Sequence, residues 1–183
     1  MDSFVIACFD PGTDESAVVL YDCIKNKVVD HFMLENYFIL DKIPYLNADR
    51  LACEMFAPYL GLGQETLDAC LWAGRFIQRW LDLGKDKQSY STIFRREVTK
   101  ALEVKPTKGK STDGLVRKAV ISIVGEPGTK AKPGPTYGLV EDEWQALAVG
   151  IADYRMNLEP SLYMQNLKGK LDTYEADPLM FPA

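Results

Sequence analysis

The run Phe4-Val5-Ile6-Ala7-Cys8-Phe9 is followed at once by Asp10-Pro11-Gly12-Thr13, and then by a second apolar run, Ala17-Val18-Val19-Leu20-Tyr21. A short stretch of β-branched and aromatic residues stopped by Pro-Gly predicts a strand buried on both faces. Asp10 then ends a central strand, where a carboxylate is costly to bury unless something compensates it. Asp before Pro-Gly is also a common turn residue. The position gains chemical meaning only if other acidic groups meet it.

The rest of the chain supplies the partners for that strand. Residues 16–23 predict a second strand, close enough across Thr13-Asp14-Glu15 to form a hairpin, and 27–35 a third. Residues 36–47 fit a short helix interrupted by Pro44. Leu51-Ala52-Cys53-Glu54-Met55-Phe56 repeats the first design, an apolar strand carrying one carboxylate. After a Pro- and Gly-rich loop over 57–63, Gln64–Leu83 reads as a long helix. Its expected apolar face is Leu67, Cys70, Leu71, Gly74, Ile77 and Leu81, broadened by Trp72, Phe76 and Trp80. Tyr90–Phe94 fits a fifth strand, ending at Arg95-Arg96, with a short helix over 97–102. Ser111-Thr112-Asp113 offers a cap for a helix running to about Val124. Residues 125–138 read as loop. Glu141-Asp142-Glu143 opens a last helix to about Met156, its acidic start matching the helix dipole. Strands first and helices after them predict a mixed α/β domain with one central sheet.

Charge narrows the function. The net charge is −5, which argues against a generic nucleic-acid binder. Yet residues 85–132 hold twelve Lys and Arg against five Asp and Glu, while the remainder holds nine against twenty-one. A contiguous basic stretch in an acidic chain is either a solvated surface or an electrostatic footprint for phosphates. Cys8, Cys23, Cys53 and Cys70 are widely spaced and read as free thiols of a reducing compartment. With a single histidine, His31, a structural zinc site is not expected. A metal here would take carboxylate ligands, which favours magnesium or manganese. No apolar run approaches the ~20 residues that span a bilayer, and from Met1-Asp2-Ser3 no signal peptide is expected.

If the strands of Asp10 and Glu54 are parallel neighbours, their carboxylates meet at one sheet edge, and Asp142 at a helix start can join them. Such a cluster repels itself. Two divalent cations about 4 Å apart would remove the conflict and supply a route to phosphodiester hydrolysis.

Phe9-Asp10-Pro11-Gly12 with Ala17-Val18-Val19-Leu20, the strand Ala52-Cys53-Glu54, and the run Asp142–Ala152 together resemble the RuvC-type Holliday-junction resolvases of the ribonuclease-H-like superfamily. Glu54-Met55-Phe56-Ala57-Pro58-Tyr59, Trp72-Ala73-Gly74-Arg75-Phe76-Ile77, and Gly128-Thr129-Lys130 through Gly134-Pro135-Thr136-Tyr137-Gly138 resemble a phage and prophage branch. The resemblance covers about residues 4–156. It implies a ribonuclease-H-like mixed five-stranded sheet, three antiparallel strands first, flanked by helices. The nuclease domain would span 1–156, with 157–183 a tail that docks or stays loose. The implied activity is metal-dependent cutting of four-way DNA junctions by a homodimer, in the cytoplasm of a bacterial cell. No nucleotide cofactor and no membrane partner are implied.

In this likeness Asp10, Glu54 and Asp142 are catalytic metal ligands for Mg²⁺ or Mn²⁺, two ions per site. Many relatives carry a further acidic residue where this chain has Gln145. Glu143 or Glu141 would then contribute, or Gln145 would ligate through its amide oxygen. Lys110, Arg117 and Lys118 are the candidates for contact with the scissile phosphate. Arg95, Arg96, Lys100, Lys105, Lys108, Lys130 and Lys132 would complete a DNA-facing surface. Tyr59 and Leu60 are candidates for a wedge at the junction crossover, against ordinary surface packing.

Other readings remain. Asp-x-Gly-Thr at a strand end also begins the phosphate loop of actin-like ATPases, but those need a second lobe and a second loop. A non-catalytic junction-binding protein and a related nuclease for flap, branched or RNA-containing substrates are the alternatives.

Overall fold

The computed structural model describes residues 3–57, 63–105 and 111–159. Five strands, β1 (Val5–Asp10), β2 (Glu15–Asp22), β3 (Lys27–Glu35), β4 (Arg50–Met55) and β5 (Tyr90–Phe94), form one sheet in the order β3-β2-β1-β4-β5. β1 pairs antiparallel with β2 and parallel with β4; β4 pairs parallel with β5. The expected mixed sheet with three antiparallel strands first is therefore present, and β1 is its centre.

Period-two alternation sorts the strand side chains onto two cores. Ala7, Phe9, Val18, Leu20, Leu51 and Cys53 face α1 (Asn36–Lys42) and α2 (Gln64–Leu81). Ile6, Cys8, Ala17, Val19, Tyr21 and Ala52 face the other way, onto α3 (Arg95–Ala101), α4 (Asp113–Val124) and α5 (Glu143–Asp153). Every residue of α5 is buried, because the helix is sandwiched between the sheet and α4. It lies so close to β1 that a Cβ on Gly150 would sit 2.1 Å from Cys8 Sγ. Glycine at position 150 is what admits this approach.

The buried face of α2 differs from the expected one. Trp72, Phe76 and Trp80, spaced four apart, turn inward with Ala69, Ala73 and Ile77, and Phe76 meets Phe9 at 5.4 Å between ring centroids. Leu67 and Leu71 are 50% and 55% exposed. Both stripes have helical spacing, and the aromatic one prevails because it removes more apolar area from water. The indole of Trp80 keeps its polar end satisfied by donating to Ser89 Oγ at 2.9 Å.

The segment 125–138 is not all loop. It contains a short ribbon, β6 (Gly128–Thr129) against β7 (Lys132–Pro133). Buried Thr136 closes the segment by donating to the Gly125 carbonyl at 2.9 Å. Pro135 O accepts from Val28 N at 3.1 Å, which docks the segment beside the start of β3. At the far end of α5, buried Asp153 accepts from Arg50 Nε at 2.6 Å and Ser91 Oγ at 2.7 Å. Among the described residues, no helix is long and apolar enough to cross a membrane.

Candidate active site

The register of β1 and β4 pairs Cys8 with Ala52 and Phe9 with Cys53. The next position along both strands holds Asp10 and Glu54. Because Ile6, Cys8 and Ala52 face α5, alternation sends both carboxylates to that side as well. The two side chains make a hydrogen bond there. Burial raises the pKa of Asp10 well above the ordinary carboxylate range. The charge and hydrogen bond of Glu54 add to this, as does the charge of Asp142, and Arg95 opposes it. Burial also raises Glu54, while Arg95 and the bond from Asp10 pull it down. Two buried carboxyls in hydrogen-bond contact cannot both stay charged, so the pair shares a proton. Asp142, exposed, is the cap residue of α5 and lies within electrostatic reach of both.

The turn that ends β1 is pinned from behind. Asn36, 1% exposed at the start of α1, donates through Nδ2 to the carbonyls of Gly12 and Thr13, each at 3.1 Å, and its backbone N–H donates to Asp14 O at 2.8 Å. Its Oδ1 accepts from Ser16 Oγ, which in turn accepts from Gly12 N at 3.1 Å. Gly12 admits no side chain, since a Cβ would lie 2.2 Å from Glu15 O. Asn36 was not foreseen: nothing in its local sequence shows that it reaches back across the turn.

Arg95 enters from the end of β5, which runs beside β4 with Ile93 opposite Glu54. Glu97 fixes the entry by accepting from Phe94 N at 2.8 Å. One guanidinium nitrogen of Arg95 donates to Gln145 Oε1 at 2.6 Å and lies 3.7 Å from Glu54 Oε1; the other pairs with Asp113. Arg95 was expected to face DNA. It lies among the carboxylates with its side chain 34% exposed, and Asp113, expected only as part of a helix cap, joins the group through it.

Glu143 is not brought to this cluster. It is buried, its Oε1 meets Nδ1 of His31 at 2.9 Å, and its Oε2 accepts from Val140 N at 2.8 Å. One step along a helix is a rotation of about 100°, enough to turn Glu143 away from the side that Asp142 serves. Glu141 has a positive φ of 39° immediately before Asp142, an uncommon backbone state for a non-glycine residue. Gln145 does reach the cluster, but its oxygen is taken by Arg95.

The expected basic surface is divided. Arg117 sits 4.7 Å over the Trp144 ring, next to exposed Lys118 on α4, and Arg96 lies 5.6 Å over the Phe94 ring. Lys100 and Lys105 are exposed on and after α3. Lys130 and Lys132 belong to the β6–β7 ribbon, whose base docks at Val28. Val28 lies at the opposite end of β3 from Met33, which aligns through Ala17 with Asp10. Lys108, Lys110, Tyr59 and Leu60 lie outside the described residues.

Among the described residues, no three His, Cys, Asp or Glu side chains form a ready-made ion cage. The chemistry of the donor set nevertheless suits a hard divalent cation: the acidic side chains here are all oxygen donors, and two already share a proton that a cation would replace.

No protein-family model matches the sequence, and no curated protein is similar to it in sequence. Solved structures are similar. A structure of Thermus thermophilus RuvC in complex with a Holliday-junction substrate aligns over 81% of this chain and 92% of its own, with a TM-score of 0.59 and 17% identity. A second Thermus thermophilus RuvC structure aligns over 84% of this chain and 96% of its own, with a TM-score of 0.55 and 17% identity. The chain thus has the RuvC-like, ribonuclease-H-like α/β fold.

Proposed function

We propose that this protein is a divalent-metal-dependent endonuclease for branched DNA, with the four-way junction as its preferred substrate. The observation that carries the reading is the contact of Asp10 with Glu54 at the ends of adjacent parallel strands, with Asp142 at the helix start within electrostatic reach. The likeness to a fold whose Thermus thermophilus member was captured with a Holliday junction supports the choice of substrate.

Asp10, Glu54 and Asp142 would hold Mg²⁺ or Mn²⁺. When bound, such an ion polarises a phosphodiester and lowers the pKa of an attacking water. The chain's own part is positional. Asn36 fixes the Asp10 turn, the β1–β4 register sets Glu54 beside it, and α5 presents Asp142. Arg117, Lys118, Lys100 and Lys105, with Lys108 and Lys110 from the adjoining segment, provide cations for the DNA backbone. Binding through them falls steeply as salt rises.

A second copy of the chain is part of the reading, since a four-way junction offers two equivalent strands to cut. Leu67 and Leu71, one turn apart on α2 and both exposed, offer apolar area to it.

The test is a synthetic four-way junction incubated with Mg²⁺ or Mn²⁺, beside flap, RNA–DNA hybrid and linear duplex substrates. Paired nicks at symmetric positions are expected, and Asp10→Asn should bind the junction without cutting it. Binding with no cutting in either metal would leave a junction-binding protein. Equal cutting of linear duplex would remove the junction preference.

A further inference from the structure

We infer that the Arg95 guanidinium is a built-in cation standing in for a second metal ion, so that the carboxylate cluster holds one divalent ion. The inference rests on the metal-dependent reading above and concerns how many ions the site accepts.

Three observations converge on Arg95. It is the first residue of α3, placed by the β4–β5 register beside the end of β4. Its guanidinium lies 3.7 Å from Glu54 Oε1, within ion-pair distance of a carboxylate that would also hold the metal. Its charge also acts on Asp10, so it serves the cluster as a whole.

The partners of Arg95 suit a permanent cation better than a metal. Gln145, 8% exposed, offers one uncharged oxygen and receives a short hydrogen bond of 2.6 Å. Asp113 takes the other nitrogen. A planar guanidinium donates in a fixed fork and never loses its charge near neutrality. These partners hold the guanidinium in place beside Glu54.

Charge balance gives the same count. Asp10, Glu54, Asp142 and Asp113 bring four negative charges when ionised, and Arg95 returns one. One divalent ion then leaves the cluster one negative charge from neutrality. A second would invert its sign and face the guanidinium across the same carboxylate. Gln145, being neutral and already bonded, supplies no charge to retain it.

Mn²⁺ binding to the full chain decides the matter, read by calorimetry and by counting free Mn²⁺ with electron paramagnetic resonance. The wild type is expected to saturate at one Mn²⁺ per chain. Arg95→Ala should bind the first ion about tenfold more tightly, because a like charge close to it has been removed. Combining Arg95→Ala with Gln145→Glu should admit a second ion, and Arg95→Lys should keep the wild-type count. Two ions per wild-type chain would overturn the inference and leave the metal reading intact. Unchanged affinity and count in a folded Arg95→Ala would overturn it too, and would return Arg95 to the DNA-facing surface. Absence of any Mn²⁺ binding by the wild type would remove the metal reading itself, and the inference with it.

Discussion

Asp10→Asn should make the metal-free protein more stable while abolishing cleavage. In the fold Asp10 and Glu54 share a proton because both are buried and the charge of Glu54 opposes ionisation of Asp10. Holding one carboxyl protonated at pH 7 costs at most about 4 kcal/mol, from three pH units above the ordinary value at ~1.36 kcal/mol each. Leaving both charged about 4 Å apart costs a similar ~4 kcal/mol at an effective dielectric near 20. Arg95 offsets part of either cost, and an asparagine amide can still donate to Glu54. A gain of about 1–2 kcal/mol at neutral pH is therefore expected.

The pH dependence has a definite sign. Both carboxyls have raised pKa values in the fold, so their favourable contribution is full below the unfolded carboxylate value of about 4 and is lost as pH rises through the folded values. The advantage of the variant should widen between about pH 5 and pH 8. Urea denaturation followed by tryptophan fluorescence, in the presence of a chelator, measures it. Adding Mg²⁺ to about a hundred times its dissociation constant should then raise the wild type by ~2.7 kcal/mol and the variant much less. A variant less stable than wild type at pH 8, or an advantage independent of pH, would refute the shared-proton account.

Asn36→Ala should cost about 1–3 kcal/mol, since buried turn carbonyls lose their donor; junction cleavage should fall while junction affinity, from a gel-shift titration, holds. Gly150→Ala drives a methyl into Cys8 Sγ and should lower stability by about 1–3 kcal/mol; combination with Cys8→Ala should recover part of the loss in the same urea titration. Asp153→Asn leaves part-buried Arg50 without its counter-charge and should cost up to about 3–5 kcal/mol. Thermal melting would show that loss, and folded Asp153→Asn should bind metal as the wild type does, because the pair lies at the far end of α5.

What was legible in the sequence was what repeats along the chain. Apolar runs of strand length, broken by Pro-Gly and by charged turns, set out five strands in order. The same alternation that buried Cys8 and Ala52 carried Asp10 and Glu54 to one face two residues later. The acidic start of α5 marked Asp142. These are local signals, because backbone period and turn chemistry act over a few residues.

Contacts between distant segments leave no such trace. Leu67-Leu71 and Trp72-Phe76-Trp80 are both helical stripes, and only the sheet opposite them, with Phe9 in place, decided which was buried. Asp142 and Glu143 are adjacent acids, and helix phase together with His31 on β3 separated their roles. The basic character of Arg95 was evident, but its inward turn depended on Glu54, Asp113 and Gln145 meeting around it from three other elements. Asn36 opens a short helix, and its hold on the Asp10 turn exists only once β3 returns alongside β2. Strand positions and the charges they carry follow from short-range sequence pattern. Tertiary structure decided which charges meet, because burial and pairing energies depend on what lies across space.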